Sequence, residues 1–142
     1  MRFLIDTDHA SLIQLKTEPE ISAISRHLTA CSETDITYSI ISVHEQFSGS
    51  HSYINRGRTP ADTVSGYGRF AKLVDFYKQV PLVPFDEPAA TEFGRLKAVG
   101  VRVGTMDLRI ASIALSRGLV VVTRNVRDFG RVPGLVTEDW TV

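Results

Sequence analysis

The sequence predicts an α/β protein, a parallel sheet covered by helices on both faces. Short β-branched, apolar runs alternate with stretches of helical period along the whole chain, the pattern of crossover-connected parallel strands. No internal repeat, low-complexity tract or linker interrupts that alternation, so residues 1–142 read as one domain. The first apolar run also ends in Asp6-Thr-Asp8, and in an open parallel sheet the carboxyl ends of the strands are where ligands bind.

The elements follow in order. Phe3-Leu4-Ile5 is a short buried strand, and Ile21, Ile24 and Leu28 recur at helical spacing after Pro19. Ile36 to Ile41 is β-branched and aromatic, hence a second strand. A polar, glycine-containing stretch from Ser48 to Thr63 leads to a helix around Val64 to Lys78. Val80 to Phe85 is a third strand, placed at an edge by Pro81 and Pro84. Asp86 caps the next helix, whose apolar positions are Ala89, Phe93, Leu96 and Val99 and whose stop is Gly100. Another helix buries Ile110, Ile113 and Ala114 and ends at Gly118. The unbroken apolar run Leu119 to Thr123 is the fourth strand, and a last one lies near Leu135 to Trp140.

Composition narrows the class. With 43% hydrophobic and 23% charged residues, the chain is neither disordered nor membrane-spanning. Met1 to Ile5 holds only three apolar residues before Asp6, too few for a secretory signal. The single cysteine, Cys31, allows no internal disulfide and no cysteine-based zinc site; it reads as a small buried residue, and the expected location is the cytoplasm. Net charge is zero, yet eight cations against Asp107 and Asp128 leave residues 95–131 with six positive charges in excess. Such a segment either attracts a polyanion or solvates a helix face.

Four positions converge on the expected crevice. Asp6 follows the first strand and Arg124-Asn125 the fourth; if those strands are neighbours, both overlook one cleft. Glu45 follows the second strand, although Ser42-Val-His-Glu45 also fits a capping box. Asp107 opens the Ile110/Ile113 helix, where the helix dipole favours an acid in any case. Either Asn125 or Asp128 supplies the fourth position. Two carboxylates about 4 Å apart repel by roughly 4 kcal/mol at an effective dielectric near 20, so such a cluster binds protons or a cation. Oxygen donors without cysteine or clustered histidine suit magnesium or manganese, which activate water for phosphodiester cleavage. His9, His27, His44 and His51 show no metal-ligand spacing.

Leu4-Ile-Asp-Thr7, Ile41-Ser-Val-His-Glu45, Gly104-Thr-Met-Asp107 through Ala114, Val121 to Phe129, Val132-Pro-Gly-Leu135 and Glu138-Asp-Trp140 together resemble a PIN-domain ribonuclease of the VapC toxin type, over essentially the whole chain. The resemblance implies a PIN-like three-layer α/β/α fold with a mainly parallel five-stranded sheet. It also implies magnesium- or manganese-dependent endoribonuclease activity, with transfer RNA a plausible substrate, homodimerisation, and neutralisation by a cognate antitoxin. Carried over by position, Asp6, Glu45 and Asp107 match the family's acidic ligands, and Asp128 is the choice for the fourth catalytic acid. Asp6 and Asp107 are the expected metal ligands, with Asp8, Asn125 and Thr123 around them. Asp8 stands where the family usually has Asn; it is expected to cap the first helix. Two other readings remain. Asp6-Thr-Asp8 also resembles the nucleophile motif of haloacid-dehalogenase-type phosphatases, and the chain could be a non-catalytic RNA-binding module with the same fold.

Overall fold

A computed structural model describes residues 1–142. Strand β1 (Phe3–Ile5) lies at the centre, flanked by β2 (Ile36–Ser39) and β4 (Val120–Val122); β3 (Leu82–Val83) and β5 (Thr137–Glu138) form the edges in the order β3-β2-β1-β4-β5. Every neighbouring pair is parallel, with Ile5 opposite Tyr38 on one side and Val122 on the other. Chain order therefore reverses between β1 and β4, the neighbours on which the expected crevice depended. The prolines do confine the third strand to an edge.

Helices cover both faces: α1 (Thr7–Leu15), α2 (Glu20–Thr29), α3 (Ile40–Asn55), α4 (Pro60–Lys78), α5 (Glu87–Ala98), α6 (Thr105–Arg117) and the single turn α7 (Val126–Phe129). Side chains alternate across a strand, so Leu4 and Val121 join a core with α5 and α6, while Phe3, Ile5 and Val122 join a second core with Ile24, Tyr77 and Trp140. The three-layer α/β/α arrangement follows from burial on both faces. No helix is long and apolar enough to cross a membrane.

Sequence reading and structure part over residues 36–63. The second strand stops at Ser39, whose hydroxyl accepts the Ser42 N–H at 3.2 Å and caps α3, so Ile40 and Ile41 belong to a helix. That helix then runs through the polar Ser48–Asn55 segment because tertiary packing outweighs weak propensity. Phe47 meets Phe70 of α4 with ring centroids 5.1 Å apart. A Cβ at Gly66 would stand 2.9 Å from Ile54 Cγ1, so glycine lets the two helices close on each other. Helix α4 starts earlier than expected, at Pro60, behind a reciprocal cap between Thr59 and Asp62. Cys31 is half-buried rather than enclosed.

Candidate active site

Because β1 and β4 are paired, the residues that leave them meet. The Asp6 N–H continues the ladder to the Val122 carbonyl at 2.9 Å. Its carboxylate, 5% exposed, then accepts from the Thr7 N–H through Oδ1 and from the Thr123 hydroxyl through Oδ2, both at 2.8 Å. Thr123 is wholly buried, and its Oγ1 accepts in turn from the Asn125 N–H at 2.9 Å. Asp6 is thus both the cap of α1 and the floor of the cleft. Burial, then the neighbouring charge of Asp8, raises its pKa to about 7 against the opposing bonds from Thr123 and Thr7, with a further upward push from Asp107.

Asp8 does not cap the first helix. Asp6 holds that position, and Asp8 in the first turn reaches across to β4 instead. Its Oδ2 accepts the Arg124 N–H at 3.0 Å and its Oδ1 meets His9 Nδ1 at 2.8 Å. Burial would raise its pKa, but the bonds from His9 and Arg124 outweigh burial and lower it. His9 is completely buried; its Nε2 accepts the Trp140 N–H at 3.2 Å, which leaves the ring proton on Nδ1, facing Asp8. This histidine ties the end of β5 to α1, a structural duty.

Glu45 is not part of a capping box. Ser42 lies inside α3, not at its cap, so Glu45 sits in the second turn. Its Oε1 accepts from the Thr7 hydroxyl at 2.8 Å, and Thr7 Oγ1 lies 2.9 Å from Ser42 Oγ. Sequence reasoning missed Thr7 and Ser42 as the groups that aim Glu45. The signals were present: Thr7 stands between two acids, and Ser42 precedes Glu45 by three residues on the same helical face.

Asp107 lies in the first turn of α6, and Asp128 in α7. Asn125 links them, its Nδ2 donating to Asp107 Oδ2 at 3.2 Å and to Asp128 Oδ2 at 3.1 Å. The pKa of Asp107 is raised by burial, then by the charges of Glu45, Asp128 and Asp8, against the bond from Asn125. Five carboxylates from α1, α3, α6, α7 and the end of β1 thus converge on one cleft. No three His, Cys, Asp or Glu side chains close into a cage around an ion. The donor set still fits magnesium or manganese, since magnesium keeps several waters and needs only one or two protein carboxylates, and burial, with neighbouring carboxylates adding to it, already disfavours the bare anions of Asp6 and Asp107, which a cation would compensate.

No protein-family model matches the chain. A tRNA(fMet)-specific endonuclease VapC of Shigella flexneri is 43% identical over 75 residues, half of this chain and 57% of that relative. Ribonuclease VapC2 of Haemophilus influenzae is 36% identical over 74 residues, 49% of this chain and 56% of that protein. The chain thus matches little more than half the length of these curated relatives. Solved structures extend the likeness over the full length. A chain of the DNA-bound VapBC complex of Salmonella typhimurium is 29% identical, with 99% of this chain and 98% of that one superposed at a TM-score of 0.67. A chain of VapBC-1 from nontypeable Haemophilus influenzae, at 23% identity, shares the fold over 100% of both chains with a TM-score of 0.77. The PIN-like fold and the resemblance read from the motifs are borne out.

Proposed function

We propose that this chain, a homologue of the VapC ribonucleases with their PIN-type fold, is a metal-dependent endoribonuclease and the toxin of a toxin–antitoxin pair. The observation that carries the reading is the convergence of Asp6, Glu45, Asp107 and Asp128 beside the β1–β4 switch point, in a cleft whose charges repel one another.

Asp6 and Asp107 are the residues that would hold a magnesium or manganese ion. Held there, such an ion would supply Lewis-acid polarisation of a phosphodiester and a lowered pKa for the attacking water. The chain's own residues do the rest. Asp6 is fixed at both oxygens, so its position is set before any ligand arrives. Glu45, aimed by Thr7, takes the proton of the attacking water at Oε2, the oxygen that Thr7 leaves free, as the new P–O bond forms and the bond to the departing ribose oxygen breaks, that oxygen taking its proton from solvent. Asp128 orients that water as the fourth acid, and Asn125 keeps it in register with Asp107. Thr123 and Asp8 hold the floor.

Transfer RNA is the proposed substrate, by likeness to the Shigella relative named for tRNA(fMet). A cognate antitoxin is the proposed inhibitor, since the similar solved structures are VapBC complexes; an antitoxin arginine or lysine directed at the acids would occupy the cation's place. Homodimerisation and a cytoplasmic location complete the proposal. The phosphatase alternative loses ground to Asp8, whose oxygens are engaged by His9 and Arg124 and whose pKa is lowered, the reverse of what a proton donor requires.

The test is cleavage of transfer RNA and a single-stranded RNA panel with magnesium, manganese or chelator, beside a small phosphomonoester. Internal cuts that need the metal and vanish in Asp6→Asn are expected. Phosphomonoester hydrolysis without RNA cleavage would overturn the reading.

A further inference from the structure

The basic segment singled out in the sequence acquires a focus where the α5–α6 connection passes the segment after α7. Val99, Gly100, Val101, Arg102, Arg131 and Pro133 line a shallow, largely open cleft of about 540 Å³. No acid lines it. Both arginines are held by their neighbours: Val101 and Val103 pack against the core on either side of exposed Arg102, and Val132, 3% exposed, anchors the chain beside exposed Arg131. Alternation of packed valine and free arginine sends the guanidinium groups outward from a fixed backbone. Arg102 makes no ion pair, and Arg131 has only a loose one, 3.9 Å from Asp128. By contrast Arg95 and Arg117 are spent on Glu92 and Asp86 at 2.7 and 3.0 Å.

The cleft adjoins the acids through two short connections. Arg102 precedes Asp107 by five residues, and Arg131 follows Asp128 by three; Asn125 bonds both of those acids. An extended polyanion crossing the carboxylates would be repelled there unless cations held its adjoining segments. The geometry points to Arg102 and Arg131 as a phosphate-binding subsite that positions the RNA backbone one step away from the cleaved bond. They act on binding and register and take no part in the chemistry. Two forked donors in a cleft whose lining holds no acid suit a phosphodiester oxygen pair, and the segment's other cations outside ion pairs, Lys97, Arg109, Arg124 and Arg127, supply the wider attraction.

This inference rests on the nuclease reading but can fail separately from it. Binding is measured on the Asp6→Asn protein, which is expected not to cleave, by fluorescence anisotropy with a labelled mixed-sequence single-stranded RNA and with bulk transfer RNA across a salt series. Adding Arg102→Ala and Arg131→Ala together should weaken binding about tenfold and lower the salt slope by about 0.7, the value for one phosphate contact on a single strand. In the cleaving protein the same pair should raise KM about tenfold and leave kcat within about twofold, with partial recovery in the double lysine variant. Arg95→Ala, outside the cleft, is the control. Unchanged affinity and slope in the double alanine variant, or no salt-dependent RNA binding at all, would overturn the subsite. Cleavage that persists with those results leaves the nuclease standing without it, whereas arginine-dependent binding without cleavage by the otherwise unaltered protein would leave an RNA-binding cleft and remove the enzyme.

Discussion

The cleft has two unlike halves. Its floor, where β1 and β4 end, is buried and over-determined: Asp6, Asp8 and Thr123 are each bonded to backbone N–H groups, and His9 braces them from behind. Its rim, where α3, α6 and α7 begin, is half-open; Glu45 hangs on one hydroxyl and Asp107 and Asp128 share one amide. In the proposed nuclease the floor would set where a cation sits, and the rim would leave room for water and substrate. Disturbing Asp8 or Thr123 should therefore register as altered stability, disturbing the rim as altered turnover, and disturbing Asp6, which belongs to both the floor and the proposed chemistry, as both.

The largest effect expected is on turnover. Asp6→Asn, Glu45→Gln and Asp107→Asn should each lower RNA cleavage by about 10²–10⁴-fold, Glu45→Gln through loss of the proton acceptor and the two aspartate variants through loss of the proposed cation. Circular dichroism should show all three folded. A Glu45→Gln variant that cleaves at the original rate in saturating magnesium would remove Glu45 from the chemistry and make its bond to Thr7 merely structural.

Next in size is the linkage at Asp6. Its pKa rises from 3.8 to about 7 on folding, so the folded state takes up a proton between those values. Stability of the metal-free protein is then full below about pH 4 for this group and is lost as pH rises through about 7, by on the order of 4 kcal/mol. Asp8, with its pKa lowered, works in the opposite sense: its stabilisation is present above 3.8 and disappears as pH falls below that value. Thermal melts of metal-free protein should show a higher Tm at pH 5 than at pH 7.5, and Asp6→Asn should flatten the difference. Manganese should restore stability at pH 7.5, by about 2.7 kcal/mol at a hundredfold excess over Kd. Equal manganese shifts in the original protein and Asp6→Asn would place the cation elsewhere.

Removal of Asp8 tests the floor's structural member. Asp8→Ala strips the Arg124 N–H and the buried His9 Nδ1 of their acceptor, and an unmet buried donor costs about 1–3 kcal/mol. Chemical denaturation should show that loss, while kcat of the folded protein stays within several-fold. A collapse of kcat with stability intact would move Asp8 into the chemistry and revive its reading as an acid/base group.

The same division explains what could be read from the sequence. The parallel sheet, the switch point between the first and fourth strands and the acids after their ends were legible, because strand ends and apolar runs are local signals. Asp86 and Gly118 were legible as helix ends for the same reason. The role of Asp8 was not: its partner Arg124 lies 116 residues away, and nothing local distinguishes an Asp that caps a helix from one that straps a distant loop. Thr7 and Glu45, 38 residues apart, pose the same problem. The length of α3 escaped because its Ser and Gly content argues against a helix until Phe70 and Gly66 of α4 are beside it.

The finest distinction lies within the rim, between Asn125 and Asp128. Asn125 directs its Nδ2 at Asp107 and Asp128 together, so the group it presents to both acids is a donor, and an amide nitrogen is no ligand for a hard cation. Asp128 contributes a carboxylate, the stronger acceptor for orienting a water. Asp128→Asn should therefore lower kcat about tenfold at any magnesium concentration. Asn125→Ala should lower it only a few-fold, because the acids survive and lose only their clip. Without that donor the Asp107 pKa, already raised by burial and by Glu45, Asp128 and Asp8, rises further, so the acidic limb of the pH–rate profile should move upward in Asn125→Ala and extra magnesium should recover part of the loss. Rates measured from pH 5.5 to 8.5 on both variants decide the assignment: an inactive Asn125→Ala beside a fully active Asp128→Asn would give the fourth position to the asparagine and leave Asp128 as a partner of Arg131.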